Sequence, residues 1–142
     1  MSDCIFCAIV AGTAPASVVL DESDVLAFMD IRPFTPGHLL VVPKRHASGL
    51  AQLDPEDGAK VFAAGQRIAT ALRSSALPVD GVNLFLADGV AAGQEVFHVH
   101  LHVVPRTARD GFGVRANAQS PTRTVLDGTA DAIRSALGSD GA

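Results

Sequence analysis

Three histidines occupy alternate positions in Phe97-His98-Val99-His100-Leu101-His102-Val103, with apolar residues between them. Successive side chains of an extended strand point to opposite faces. His98, His100 and His102 are therefore expected on one face, roughly 6–7 Å apart, with Phe97, Val99, Leu101 and Val103 anchoring the other in a core. An ordinary solvated face would carry Thr, Lys or Glu rather than three imidazoles. Imidazole serves acid–base, nucleophilic and metal chemistry near neutral pH. Ligands on one straight strand diverge, whereas a tetrahedral ion needs them converging at about 2.1 Å. A phosphate-like group therefore suits this face better than a metal, although a metal remains the rival. Gly93-Gln94-Glu95-Val96 precedes the strand, and its backbone N–H groups are expected to point at such an anion. An imidazole nitrogen can displace a leaving group from phosphorus while neighbouring donors stabilise the developing charge.

The remaining chain reads as an antiparallel α+β sheet, because its strands follow one another with few helices between. Residues 17–20 and 25–29 are apolar or β-branched runs separated by Asp21-Glu22-Ser23-Asp24, a hairpin pattern. Residues 32–37 read as a loop by their Pro and Gly content. His38-Leu39-Leu40-Val41-Val42-Pro43 reads as a buried strand stopped by its proline. Asp54-Pro55-Glu56-Asp57 starts a helix: an N-cap acceptor, Pro in the first turn, then acids. Val61, Ala64, Ile68 and Leu72 give that helix one apolar face through about residue 73. Strands are expected over 81–88 and over 96–104, the latter stopped by Pro105. A short terminal helix is expected over 125–137.

The chain has 142 residues, 48% of them hydrophobic and 18% charged, which suits one folded domain over 1–142 and excludes a disordered tail. Eleven Lys and Arg against fifteen Asp and Glu leave a formal charge of −4, a poor basis for gripping nucleic acid. No apolar run has the roughly 18–20 residues of a membrane span. Two cysteines are too few for a secreted disulfide framework. The first basic residue is Arg32, and Asp3 precedes the apolar stretch that starts at Cys4, so a secretory leader is not expected. The expected location is the cytoplasm, with no nucleic acid or membrane as partner.

His98-Val99-His100-Leu101-His102-Val103-Val104 resembles the histidine triad motif. Ala92-Gly93-Gln94 and Pro105-Arg106 on either side resemble its flanks. Cys4-Ile5-Phe6-Cys7, Ala27-Phe28-Met29-Asp30 and Pro36-Gly37-His38 through Pro43-Lys44-Arg45-His46 extend the likeness over nearly the whole chain. It resembles a bacterial-type member of the Hint and Fhit superfamily. The resemblance implies a five-stranded antiparallel sheet with one main helix, a short C-terminal helix, and sheets paired across a homodimer. It also implies a nucleotide hydrolase or transferase. A nucleoside monophosphate would leave an amine or phosphate group by way of a nucleotidyl-histidine, as in phosphoramidases and dinucleoside polyphosphate hydrolases. His100 would be the nucleophile, His102 and His38 would hydrogen-bond the α-phosphate, and Gln94 would help hold the leaving atoms. Asp30 would receive the ribose hydroxyls, two acceptors for two donors. Phe6, Ile9, Phe28 and Ile31 would surround a purine base, with Gly93 and Glu95 beside the phosphate.

Two positions depart from the family pattern. Ala87 stands where many relatives have Asn or Gln, and Glu95 where they often have Ser or Thr. A carboxylate at Glu95 would repel a polyphosphate and favour an amine, unless Lys44, Arg45, Arg106 or Arg109 offset it. These departures keep open a slow-turnover nucleotide-binding or sensing protein. Cys4-x-x-Cys7 alone is a weak signal, shared with redox proteins and with pairs of buried thiols. A Cys₂His₂ zinc site of Cys4, Cys7, His46 and His98 would account for the remaining histidines and resembles sites of family relatives. Such a closed site would be structural, and no catalytic metal is required. A metal-sensing protein built on these cysteines is a third reading.

Overall fold

The apolar runs in the middle of the chain become strands covered on both faces. A computed structural model describes residues 3–141, and the chain divides into two compact units with the boundary between Phe112 and Gly113. The first unit holds β1 (Val18–Asp21), β2 (Val25–Met29), β3 (Leu39–Pro43), β4 (Gly81–Phe85) and β5 (Leu101–Arg106) in one antiparallel sheet of order β1-β2-β3-β5-β4. It also holds α1 (Ile5–Val10) and α2 (Pro55–Arg73). The second unit carries α3 (Arg123–Gly141).

The period of two sorts the sheet's side chains. Val25 and Ala27 of β2, Leu39 and Val41 of β3, and Leu101 and Val103 of β5 share one core with Val61, Ala64, Ile68 and Leu72 of α2. The alternate residues Leu26, Phe28, Leu40 and Val42 form a second cluster with Phe6 of α1. Burial on both faces is why β2 and β3 read as continuous apolar runs. Asp54 caps α2 as expected, its carboxylate accepting from the Glu56 N–H at 2.8 Å.

Four expectations change. The strand over 96–104 begins only at Leu101, and Phe97 is 47% exposed rather than anchoring a core. The Val99 N–H donates to Ala47 O at 2.8 Å, so residues before Leu101 are held by a loop instead of a ladder. Pro105 lies inside β5, because the last β3 pair is Leu39 with Val103 and its missing N–H interrupts no β3 pairing. The terminal helix has 19 residues, as many as α2.

Candidate active site and metal centre

His100, His102 and His38 meet at the β3–β5 junction, opposite α2. His102 on β5 pairs with Leu40 of β3 and Phe85 of β4. His38 immediately precedes β3. Hydrogen-bond partners assign the tautomers. The Phe34 N–H donates to His38 Nδ1 at 3.0 Å, so the His38 proton sits on Nε2. That nitrogen lies 2.9 Å from His102 Nδ1, which accepts, leaving the His102 proton on Nε2. His100 Nδ1 donates to His98 O at 2.7 Å, which leaves the Nε2 lone pair of His100 uncommitted. The His100 and His102 rings stand 5.0 Å apart.

Burial keeps His38 and His102 neutral. His102 is lowered to about 4, first by burial and then by the positive charge His100 and His38 would carry, against an opposing pull from Asp30. His38 is also lowered, by burial against the same Asp30. His38 and His102 thus form a neutral pair that ends in the His102 Nε2–H. Asp30, His38 and His102 also lie close enough to hold a cation. The Phe34 N–H on His38 Nδ1 argues against it, since a metal at Nε2 would require a deprotonated ring.

Other expected residues separate. Phe6 and Phe28 are buried, edge to face at 5.3 Å, and the Phe6 ring lies 5.1 Å from His100. Ile9 packs on the same cluster, whereas Ile31 is 93% exposed. One Asp30 oxygen accepts from the Arg32 N–H at 2.8 Å and the other lies 3.6 Å from His38 Nε2. The buried Gln94 amide is used by backbone: it accepts from Gly89 N–H and donates to Ser48 O and Val96 O. Gly93 closes that turn at φ 97°, a conformation that favours glycine.

Within this approach, the N–H groups of Gly93 and Gln94 bond inside the turn, to Val90 O and Gly89 O, and so are not aimed at an anion. Glu95 is exposed and Ala87 half-buried. Of the cations that could offset Glu95, Lys44 pairs with Asp21, Arg45 with Asp57 and Arg106 with Asp110. Phe34 and Phe85 were not singled out by sequence. Phe85 stacks on His102 at 4.3 Å and 15°, and only its register opposite His102 on the adjacent strand β4 marks it.

A second cluster joins Cys4 and Cys7 at the start of α1, His46 after β3, and His98 before β5. Their ligand atoms all lie within 4.8 Å of one another. Cys4 Sγ is 3.4 Å and Cys7 Sγ 3.6 Å from His98 Nδ1, Cys7 Sγ is 3.3 Å from His46 Nδ1, and the two Nδ1 atoms are 3.2 Å apart. A tetrahedral ion with Zn–N and Zn–S lengths of about 2.1 and 2.3 Å has ligand–ligand edges of roughly 3.4–3.8 Å. The spacing fits. His98 Nε2 donates to Pro43 O at 2.8 Å, which turns its Nδ1 lone pair into the cluster. Burial, then the hydrogen bond with Cys4, pushes the Cys7 thiol up. The four side chains could hold a metal.

Comparison with known proteins places this geometry. The HIT domain family model matches residues 11–109. The chain belongs to the histidine triad, or HIT, family. A crystal structure from Streptococcus mutans superposes with a TM-score of 0.91 at 42% identity, covering 96% of this chain and 87% of the other. A Zn-bound histidine triad family protein from Mycobacterium smegmatis is 45% identical, with a TM-score of 0.77 over 95% of this chain and 98% of its own. The adenylylsulfatase HINT3 of Arabidopsis thaliana is 35% identical over 77% of this chain and 55% of its own length. This HIT chain thus shares its family with an enzyme acting on a nucleotide and with a protein that holds zinc. No helix among its described residues is long and apolar enough to cross a membrane.

Proposed function

We propose that this HIT protein hydrolyses a purine nucleotide bearing an amine or phosphate leaving group, such as an adenosine phosphoramidate or a dinucleoside polyphosphate. The observation that carries the reading is the His100 ring, whose Nδ1 is fixed on a carbonyl and whose Nε2 keeps its lone pair beside a donor chain. Nε2 attacks the α-phosphorus, and the P–N or P–O bond breaks as N–P forms, the leaving group departing with the bonding electron pair and a proton taken from solvent. Water then cleaves the nucleotidyl-histidine, restoring His100 and releasing the monophosphate. The His102 Nε2–H donates to the phosphate oxygens, and His38 holds His102 in that form. Phe6, Ile9 and Phe28 offer the base an apolar wall, and Asp30 lies beside His38 for the ribose. Gln94 acts through the loop it ties together. Cys4, Cys7, His46 and His98 hold a structural zinc, and the protein works as a cytoplasmic homodimer.

Adenosine phosphoramidates and diadenosine polyphosphates, with guanosine analogues as base controls, test the reading side by side. His100→Ala is expected to lose at least about a hundredfold in kcat while nucleotide affinity stays within about tenfold. Nucleotide binding without turnover in the wild-type protein would instead identify a sensor.

A further inference from the structure

The residues that follow the triad strand form a closed loop whose far end reaches the active site. Arg106 ends β5, and its Nε and Nη2 bond the two carboxylate oxygens of Asp110 at 2.7 and 3.0 Å. Its Nη1 donates to Asn83 Oδ1 at 2.7 Å, and Nη2 also donates to the Phe112 carbonyl. Asp110 accepts in addition from the Thr107 and Phe112 N–H groups, at 3.0 and 3.1 Å. A forked guanidinium–carboxylate pair with backbone bonds on both sides is geometrically specific in a way that an ordinary surface ion pair is not.

The loop presents one ring. Phe112 lies under the Arg106 guanidinium, 5.0 Å from Cζ to ring centroid, and stacks on Phe34 at 4.8 Å and 18°. Phe34 belongs to the loop before His38, has no regular secondary structure, and is 47% exposed. Its ring lies 4.6 Å from the His38 ring, and its N–H is the donor on His38 Nδ1. That donor on Nδ1 acts together with the Asp30 carboxylate, 3.6 Å from Nε2, to put the His38 proton on Nε2. With it in place, His38 presents Nε2–H to His102 Nδ1, and His102 keeps its own proton on Nε2. With Phe34 displaced, His38 is free to protonate Nδ1. His102 would then lose its donor and could carry its proton on Nδ1 in turn, facing the phosphate with a lone pair in place of an N–H.

We propose that Arg106, Asp110 and Phe112 form a latch that holds Phe34 in place and so fixes the hydrogen-bonding form of His38 and His102. All three are positioning residues: none touches the reacting atoms. The proposal rests on the nucleotide-hydrolase reading for its effect on rate, but not for its effect on the imidazoles.

Both are measured on the full chain as purified. Imidazole ¹⁵N NMR without substrate is expected to show His38 as a single Nε2–H tautomer in the wild-type protein. Phe112→Ala should lose that single form and about tenfold in kcat, with KM within about twofold. Phe112→Tyr, which keeps the stacked ring, should retain both. Arg106→Lys, which keeps the charge but not the fork, should behave like Phe112→Ala and serves where that variant folds poorly. A wild-type His38 tautomer in both Phe112→Ala and Arg106→Lys would overturn the latch, and a lost tautomer with unchanged kcat would overturn its effect on rate. If the wild-type protein turns over no nucleotide, the hydrolase reading fails while tautomer loss in the variants still supports the latch.

Discussion

Burial keeps His38 and His102 uncharged, and folding stability depends on pH as a result. His102 is held near 4 and His38 is lowered in the same direction, whereas an imidazole in the unfolded chain titrates near 6.5. Between those values the unfolded chain binds protons that the folded chain refuses. Stability contributed by these neutral rings is therefore complete above about pH 6.5 and falls as pH drops toward 4. Each ring can contribute at most about 1.4 kcal/mol per pH unit in that window. Thermal melts from pH 7.5 to 5 should show Tm falling below about 6.5, before most carboxylates titrate. His102→Gln, which cannot be protonated, should flatten the slope. An equal slope in the variant would place the pH dependence elsewhere.

The elements differ in how openly the sequence declares them. α2 was legible at both levels: Asp54-Pro55-Glu56 marks its start, and Val61, Ala64, Ile68 and Leu72 are all buried against the sheet. α1 was not, because a six-residue helix is too short for a periodicity to register. The start of β5 was misplaced for a different reason. His98, Val99 and His100 are all buried, but they are held by Pro43 O, Ala47 O and His98 O rather than by neighbouring strands. Alternation reports burial, not pairing. The triad histidines and Asp30 were legible as residue types. The Phe34 contact to His38 was not, since it depends on a loop conformation that no local pattern encodes.

One close approach ties α2 to the triad strand. A Cβ on Gly65 would meet Leu101 Cδ2 at 2.7 Å, and Leu101 is 7% exposed between helix and sheet. Gly65→Ala gains about 1 kcal/mol of helix propensity but overpacks this contact, which costs about 1–3 kcal/mol. A net loss of about 1 kcal/mol is expected by denaturant titration. Adding Leu101→Val should recover part of it, because the two sites share the contact. A Gly65→Ala protein more stable than wild type would show that Leu101 yields freely.

At the scale of the whole molecule, the metal cluster joins parts of the chain that nothing local connects. Cys7 and His46 are 39 residues apart, His46 and His98 are 52 apart, and Cys4 and His98 are 94 apart. An ion held there clamps α1 onto the end of β3 and onto the approach to β5. The clamp also bears on the site, because the carbonyl of His98 is what receives His100 Nδ1–H. Zinc present at a hundred times its dissociation constant would add about 2.7 kcal/mol by mass action. At roughly 3–5 °C per kcal/mol for a chain of this size, that is about 10 °C in Tm. Protein purified without added metal should therefore contain about one zinc per chain by elemental analysis. Chelation or Cys4→Ser should lower Tm by about that amount. Zinc restored to the chelated wild-type protein should recover it, but not in Cys4→Ser at the same concentration. A metal-free protein of unchanged Tm would leave Cys4 and Cys7 as two thiols packed beside two imidazoles.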